Sequence, residues 1–349
     1  MHFLKTKLSI IRIAGILIFL FLGSACNPNQ ESKPFSFNIP KGWPEPFYNF
    51  ENNKVSIERF ELGKTLFYDP QLSLTNNISC GTCHQPFAAF AQIDHDVSHG
   101  IFDRLGKRNS PSLFNLAWSS TFFWDGRVNH LEVQPLGPLQ DPTEMGETLP
   151  NVISKLQADE KYHTMFSAAY GDTLIDSQRF LKALAMFMGM MVSDNAKYDQ
   201  YKNGKANFTS EEERGYKIFQ NNCAECHKEP LFTDFSFRSN GLNPTVTSKG
   251  TIDSGRGEFM PFDPMNMYKF KIPSLRNLKY TAPYMHDGRF INLKQVLNHY
   301  ADINVNMENL DPILLNSIIL NPQEQDDLLA FINTLNDPTF VSDPKFKQP

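Results

Sequence analysis

The sequence contains few cysteines, no excess of positive charge and no long hydrophobic run. Its 349 residues include 5 cysteines, and 33 Lys and Arg stand against 38 Asp and Glu. The net charge of -5 argues against nucleic acid as a partner, since a polyanion requires a basic surface. The apolar run from Ile13 to Leu22 is too short to favour a membrane-spanning helix. A chain of this length predicts two domains, each large enough to bury its own core.

Residues 1–25 have the organisation of a secretory signal peptide. Basic residues precede the apolar run, and Gly23-Ser24-Ala25 follow it as a small-residue cleavage site. We therefore expect an exported protein on the periplasmic side of a bacterial envelope. Cys26 directly after this tripeptide predicts a lipid anchor as the protein's attachment to a membrane, and simple cleavage after Ala25 is the alternative. Residues 26–45, rich in Pro, Asn and Ser, predict a flexible tether.

The other four cysteines form two copies of the pattern Cys-x-x-Cys-His. The copies are Cys80, Cys83 and His84, and Cys223, Cys226 and His227. This spacing attaches a c-type haem, because the two sulfurs form thioethers with the vinyl groups and the adjoining His gives an axial nitrogen to iron. A zinc site with four thiolate ligands is the alternative, and the His after each pair disfavours it in an exported chain. The motifs predict two haems and leave no cysteine for a structural disulfide.

The two halves of the chain share several motifs in one register. Residues 111–116 and 125–127 recur 162 positions later as residues 273–278 and 287–289. A Gly-x-x-apolar-Phe motif that begins at Gly63 before the first haem motif also begins at Gly215 before the second. An internal repeat of this kind indicates two structural units with a common plan.

The repeat and the helical periodicity together predict the fold class. We expect a mainly α protein made of two cytochrome c-like haem domains with long loops, residues 46–206 and 207–349. Apolar periodicity predicts helices near residues 55–67, 176–192 and 322–336. Residues 234–271 contain Gly, Pro, Asp and Asn throughout, which predicts a long loop with little regular structure.

The register of the repeat predicts that the two irons differ. It places Trp124 opposite His286, and Pro138 opposite Tyr300. A tyrosine phenolate can bind ferric iron, whereas proline has no side-chain ligand. One iron should therefore have an open face and the other a closed one. His299 is a competing ligand, although a neighbour in sequence points elsewhere on a helix.

These motifs resemble those of the bacterial di-haem cytochrome c peroxidase family, including its methylamine-utilisation (MauG) branch. The resemblance extends from Phe60 to about Leu335. It rests on both haem motifs and on Arg108-Asn109-Ser110-Pro111, Phe123-Trp124-Asp125-Gly126-Arg127, Gln134 through Glu144-Met145, and Pro283-Tyr284-Met285-His286-Asp287-Gly288. It implies that the first haem, held by His84, is the one that reacts with peroxide.

The resemblance also implies roles for individual residues. Glu144 would be the acid–base group that moves a proton between the peroxide oxygens, and Gln134 would orient peroxide or water. Trp124 would carry electrons between the haems. A calcium ion would lie between the domains, bound by the Asn109 side chain and by the carbonyl groups of two residues. These two residues are Thr281 and Pro283.

Two departures from the family pattern bear on function. Many of the peroxidases close the first haem with a distal His until the second haem is reduced, and here that position holds Ile101. His95 or His99 could reach the iron from a shifted loop, but a polar loop role is the simpler interpretation. The second departure is Tyr300, where cytochrome c peroxidases commonly have Met. An anionic oxygen ligand lowers the potential of iron.

The sequence thus predicts an exported di-haem peroxidase that reduces hydrogen peroxide with electrons from a small donor such as a cytochrome c. MauG-type oxidation of a protein or small molecule by long-range electron transfer is the alternative within this chemistry, and Ile101 and Tyr300 favour it. An electron carrier with two closed haems is the alternative from another class. The oligomeric state is left open, a homodimer included.

Overall fold

A computed structural model describes residues 35–93 and 95–349. The predicted signal peptide, residues 1–25, and the predicted lipid acceptor Cys26 lie outside these residues. In the part that is described, no helix is both long enough and apolar enough to cross a membrane.

Helices dominate the described residues, so the prediction of a mainly α fold is confirmed. The described part of the chain contains eleven α-helices: α1 (Ile57–Phe67), α2 (Cys80–Cys83), α3 (Leu136–Gln140), α4 (Leu149–Gln157), α5 (Glu160–Tyr170), α6 (Ser177–Gly189), α7 (Lys197–Lys202), α8 (Ser210–Asn222), α9 (Leu293–Ala301), α10 (Pro322–Asn333) and α11 (Pro338–Ser342). The sheet of the described residues has two antiparallel strands, β1 (Phe237–Arg238) and β2 (Phe270–Lys271). The predicted long loop, residues 234–271, contains these two strands near its ends and two short 3-10 helices, Arg256–Glu258 and Pro264–Asn266, and is otherwise irregular.

Local sequence signals set the ends of the main helices. The Ser56 side chain accepts a hydrogen bond from the Arg59 backbone N–H and starts α1. Asn321 and Glu324 form a reciprocal capping box that starts α10. Such caps satisfy backbone N–H groups that have no partner within the helix. The helices predicted near residues 55–67 and 322–336 therefore form, two or three residues shorter than the apolar pattern.

The repeat appears in the structure as two equivalent helix pairs, α1 with α6 and α8 with α10. A Cβ atom on Gly63 would lie 1.9 Å from the Ala183 carbonyl oxygen in the first pair. A Cβ atom on Gly215 would lie 1.9 Å from the Asp327 carbonyl oxygen in the second pair. The repeated glycine is thus required because the two helix backbones touch at this point.

Backbone conformations after each haem motif are repeated as well. Asn115 and Asn277, which are 162 positions apart, both have left-handed conformations with φ of 57° and 63°. An isolated bridge pairs Phe122 with Val128 in the first half, and Tyr284 with Phe290 at the same offset in the second. The sequence repeat is therefore a structural repeat.

Two hydrophobic clusters form the core of residues 35–349, which make one compact unit. The first cluster draws mainly on residues 48–191, and the second on residues 198–335. Phe340 and Phe346 from the C-terminal end belong to the first cluster, and the Tyr68 hydroxyl donates a hydrogen bond of 2.6 Å to the Phe346 carbonyl. The chain after α10 thus returns to the first half. A domain boundary at residues 206/207 stays a prediction.

The second half of the predicted tether is packed rather than free. Phe35, Phe37 and Trp43 lie against the first hydrophobic cluster, and the Trp118 indole N–H donates to the Pro44 carbonyl at 2.8 Å. The guanidinium of Arg276 lies 4.8 Å from the centre of the Trp43 ring. Contact with the core removes apolar surface of these side chains from water, which favours packing of the segment over a solvated linker. Residues 35–45 therefore belong to the folded unit, and the prediction of a tether is wrong for them.

Candidate functional site

Both Cys-x-x-Cys-His motifs open onto one cavity of about 1290 Å³. Its walls come from both repeats, and they contain His84 with its two cysteines and His227 with its two cysteines. Most of the other lining side chains are apolar, with Phe67, Phe114 and Leu184 in the first half and Leu275, Leu297 and Leu328 in the second. A large apolar space next to each attachment motif has the character that a haem requires.

The two histidines are held in a form suited to binding iron. The Nδ1 atom of His84 lies 2.7 Å from the Phe90 carbonyl oxygen. His227 Nδ1 lies 3.1 Å from the carbonyl oxygens of both Phe232 and Pro273. A carbonyl accepts only from a protonated Nδ1, so Nε2 is left unprotonated as a metal ligand. Burial also lowers the pKa of His84 to about 4 and lowers the pKa of His227. Both imidazoles are therefore neutral, and the donor set fits haem iron.

The cysteines fit thioether formation better than zinc binding. Burial raises the pKa of Cys80 to about 12 and that of Cys83 to about 11, so both are neutral thiols. Cys223 has its pKa raised to about 12 for the same reason. Among the described residues, no three or more side chains of His, Cys, Asp or Glu cluster so that they could hold a metal ion. The two Cys pairs thus do not combine into the four-thiolate zinc site.

Glu144 is a buried carboxyl group in the cavity wall beside the first motif. Its Oε1 accepts a hydrogen bond of 2.6 Å from the Ser98 hydroxyl. Burial raises the pKa of Glu144, and the hydrogen bond from Ser98 opposes that rise because it stabilises the charged form. Gln134 and Pro138 line the same cavity, so the structure brings together the three residues that the sequence placed on the open face.

The loop that holds the predicted distal position keeps Ile101, His95 and His99 out of the cavity lining. Ile101 is buried, and its backbone N–H donates to the Glu144 carbonyl at 2.8 Å. His95 Nε2 and His99 Nδ1 lie 3.0 Å apart and are bonded to each other. Neither His lines the cavity, whereas Ser98 and Gly100 do.

Tyr300 on α9 lines the cavity beside the second motif, as the repeat register predicts. Burial raises its pKa to about 12, so the free phenol is neutral. His299 does not line the cavity, and its Nε2 lies 2.9 Å from the Asn240 carbonyl oxygen. Of these two neighbours on α9, Tyr300 faces the cavity and His299 does not, and Tyr300 as an iron ligand stays a prediction.

Trp124 lies between the halves and is fixed by residues from both. Its indole N–H donates to the Asn109 carbonyl at 2.9 Å, and its carbonyl accepts from the Lys271 backbone N–H at 2.7 Å. The Asn109 backbone N–H donates in turn to the carbonyl of His286, the repeat counterpart of Trp124, at 2.8 Å. The His286 ring stacks on Phe270 with 3.7 Å between ring centres. Trp124 and His286, which are equivalent in the repeat, are thus linked through the backbone of Asn109.

The three predicted calcium ligands all contribute to the cavity wall. Asn109, Thr281 and Pro283 are among its lining residues. The Asn109 side-chain amide donates to the Asp96 carbonyl at 3.1 Å, which leaves its oxygen as a candidate ligand. Calcium at this point stays a prediction.

The sequence did not predict a buried network of ion pairs beside the cavity. Arg108 binds Asp253 through two hydrogen bonds of 2.7 Å, and it binds Asp125 at 2.6 Å. All three side chains are buried. Asp253 lies in the irregular loop, 145 residues from Arg108, with no motif around it to mark its role. The network ties this loop to the first half.

These features define a class of protein: a di-haem c-type cytochrome whose cavity also contains a buried carboxyl group, that of Glu144. The profile of the di-haem cytochrome c peroxidase family matches residues 57–207, and that of cytochrome c matches residues 212–336. The chain is 36% identical to methylamine utilization protein MauG of Methylophilus methylotrophus, with 94% of each chain covered. It is 30% identical to cytochrome c551 peroxidase of Nitrosomonas europaea, covering 83% of this chain and 82% of that protein.

A solved structure supports the same assignment. The chain superposes on a MauG-like protein associated with microbial copper homeostasis with a TM-score of 0.79 and 32% identity, covering 90% of this chain and 99% of that one. The chain belongs to the di-haem cytochrome c peroxidase and MauG family. It is therefore an oxidoreductase with two c-type haems, as the two Cys-x-x-Cys-His motifs predict.

Proposed function

We propose that this protein reduces hydrogen peroxide at the haem held by His84, with electrons that a cytochrome c-like donor delivers through the haem held by His227 and Tyr300. The observation that carries the proposal is the buried carboxyl group of Glu144. It lines the same cavity as the first attachment motif, and Ser98 holds it in a fixed orientation. An electron carrier has no use for a buried acid–base group beside one haem.

The residues of the cavity provide the proton transfer that peroxide cleavage requires. A haem held by His84 would supply the iron that binds peroxide and the electrons that break the O–O bond. Glu144 starts as a carboxylate, takes the proton from the inner oxygen and returns it to the outer oxygen, which leaves as water. Gln134, with an amide that both donates and accepts, orients the bound oxygen. Two electrons and two further protons complete the conversion of one peroxide to two waters.

Trp124 connects the two haem sites in this proposal. Its position between Asn109 and Lys271 places an indole ring where the two halves meet. An oxidisable ring at this point suits the transfer of single electrons from the second site to the first. The shared cavity and the position of Trp124 between the two halves support an electron-transfer route inside the protein.

MauG-type oxidation of a protein or small molecule is the second candidate, and Tyr300 is the observation that favours it. An oxygen ligand lowers the potential of the second haem and stabilises its higher oxidation states. A high-potential site for accepting electrons from a cytochrome would instead use Met. The relatives include proteins named MauG as well as cytochrome c peroxidases.

Steady-state turnover of peroxide with reduced cytochrome c tests the proposal. Rapid oxidation of the donor is expected for the peroxidase, and Glu144→Gln should slow it by roughly 10²–10⁴-fold because the proton carrier is lost. Glu132→Gln is the control, since Glu132 accepts a hydrogen bond from Tyr48 outside the cavity lining. Slow donor oxidation in the unaltered protein together with a long-lived oxidised state would favour the MauG-type reaction. An unchanged rate in Glu144→Gln would remove Glu144 from the mechanism.

Further features of the proposal concern location and assembly. We place the protein on the periplasmic side of the envelope because of its signal-like N-terminus and its haem motifs. A lipid anchor on Cys26, a homodimer and a calcium ion bound by Asn109, Thr281 and Pro283 belong to the same proposal. Metal analysis of the purified protein and the mass of its N-terminal peptide test the calcium and the anchor directly.

A further inference from the structure

Lys271 is a cation in the cavity wall with no carboxylate partner among the residues that the structure describes. It is the second residue of β2 and one of the lining residues of the cavity. Two buried cations that line the same cavity are paired, Arg108 with Asp253 and Arg276 with Asp199. Lys271 forms no such ion pair in the described part of the chain. A partly buried charge without an ionic partner loses hydration without compensation, so the position of Lys271 requires an explanation.

Both the backbone and the side chain of Lys271 form hydrogen bonds with residues 119–124. The backbone N–H donates to the Trp124 carbonyl at 2.7 Å, and the ammonium donates to the Thr121 carbonyl at 2.6 Å. Ser119 Oγ, at 3.5 Å, is at the limit of a hydrogen bond. An ammonium has three donors, so at least one remains for a group inside the cavity. The charge is therefore fixed at the wall rather than free to move into solvent.

The repeat shows that Lys271 is a departure from the common plan. At the offset of 162 its counterpart in the first half is Asn109, a neutral amide. Asn109 and Lys271 contact the two ends of Trp124, through the indole N–H and the backbone carbonyl respectively. One half thus places an uncharged group at this position, while the other places a cation.

Burial disfavours the charged form of this side chain. It lowers the pKa of Lys271 to about 8, and the charge of Asp125 only partly opposes the change. An anion bound against the ammonium would reverse this penalty. The groups that enter the cavity in the mature protein are the two haems, and each haem carries two propionate carboxylates. These are the anions that the family assignment itself supplies.

We propose that Lys271 binds a haem propionate and sets the potential of that haem. The proposal rests on the two attached haems and not on peroxidase activity, so a failed turnover assay leaves it intact. Lys271 acts here as a cofactor-binding residue that completes its ion pair only when haem is present. Its position beside Trp124 puts the pair at the junction of the two halves.

The test uses the haem-loaded protein and two variants of Lys271. Lys271→Met keeps the length of the side chain and removes the charge, whereas Lys271→Arg keeps the charge. Covalent haem content and the midpoint potential of each haem are measured by spectroelectrochemical titration. The ferric form carries one more positive charge than the ferrous form, so loss of a nearby cation lowers the potential. We expect a lower potential for one haem in Lys271→Met and values near those of the unaltered protein in Lys271→Arg.

Lys249→Met is the matched control. Lys249 also lines the cavity but is exposed, so solvent screens its charge and both potentials should stay unchanged. Loss of one haem from Lys271→Met with retention of both in Lys271→Arg would also support the ion pair. Full haem content with unchanged potentials in Lys271→Met would overturn it. Equal shifts, or equal haem loss, in the Met and Arg variants would overturn it too, because the charge would then not matter.

Discussion

The hydroxyl of Ser98 donates a hydrogen bond of 2.6 Å to Oε1 of Glu144. The backbone fixes this serine on both sides, since its N–H donates to the Arg108 carbonyl and its carbonyl accepts from the Gly106 N–H. A Cβ atom on Gly106 would lie 1.8 Å from the Ser98 hydroxyl oxygen, so only glycine leaves room for this arrangement. Glu144 is therefore held by a rigid donor that stabilises its carboxylate.

Removal of this hydrogen bond should move the pH dependence of peroxide turnover. Glu144 must be deprotonated to accept a proton, so the rate falls as the pH drops through its pKa. Burial places that pKa above the ordinary value of about 4.3, and Ser98→Ala should raise it further, which moves the acidic limb to higher pH. The measurement is the pH profile of kcat/KM. Ser110→Ala is the control, because Ser110 lines the cavity but donates to Gln92; an acidic limb that stays in place in Ser98→Ala would contradict the prediction.

Replacement of Tyr300 by Met should raise the potential of the second haem. A thioether stabilises ferrous iron relative to an anionic oxygen ligand, so the potential increases when the phenolate is lost. Redox titration monitored by absorbance measures the change. His299→Gln should leave the potential unchanged, because His299 contacts Asn240 and not the cavity. Identical spectra and potentials in Tyr300→Met would show that Tyr300 is not a ligand.

The ferric protein should contain one high-spin haem before any reduction. Ile101 has no ligating atom, and His95 and His99 bond to each other outside the cavity lining. Electron paramagnetic resonance of the resting protein measures the spin states. Replacement of both histidines by Ala should leave the high-spin signal unchanged. Two low-spin haems at rest, or a signal that becomes high-spin only in the double variant, would assign one of these histidines as a ligand.

Gly215→Ala should destabilise the second half. The new Cβ would lie 1.9 Å from the Asp327 carbonyl oxygen and 2.9 Å from Phe331 Cβ, so α8 and α10 would have to separate. Overpacking of this kind costs about 1–3 kcal/mol, which lowers the thermal midpoint measured by circular dichroism. Gly189→Ala is a matched control in a helix, since its nearest neighbour, Phe50, would lie at an ordinary 3.4 Å. Equal midpoints for the two variants would show that the helix contact tolerates the added methyl group.

Features with a local cause could be predicted from the sequence. The haem attachment motifs depend on five consecutive residues, and the capping signals of α1 and α10 depend on four or five. The register of the repeat also needs no tertiary information. It places Trp124 opposite His286 and Pro138 opposite Tyr300, and all four residues line the cavity.

Features that depend on long-range packing could not be predicted. The composition of residues 35–45 resembles a linker, and only the neighbouring core shows that their aromatic side chains are partly buried against it. Arg108 and Asp253 are 145 residues apart, so no sequence pattern links them. Nothing in the sequence distinguishes Lys271 from a surface lysine, and only the structure shows that its ammonium contacts the Thr121 carbonyl.

The sequence by itself determined that two haems are attached, that the halves repeat and that their distal positions differ, because each of these follows from residue identity at a fixed spacing. The tertiary structure decided which side chains face the cavity. Ser98 faces the cavity and bonds Glu144 there while His99 does not, and on α9 Tyr300 faces the cavity while His299 does not. Neighbouring residues of similar chemistry are separated there by the direction of the backbone, which depends on contacts between distant segments.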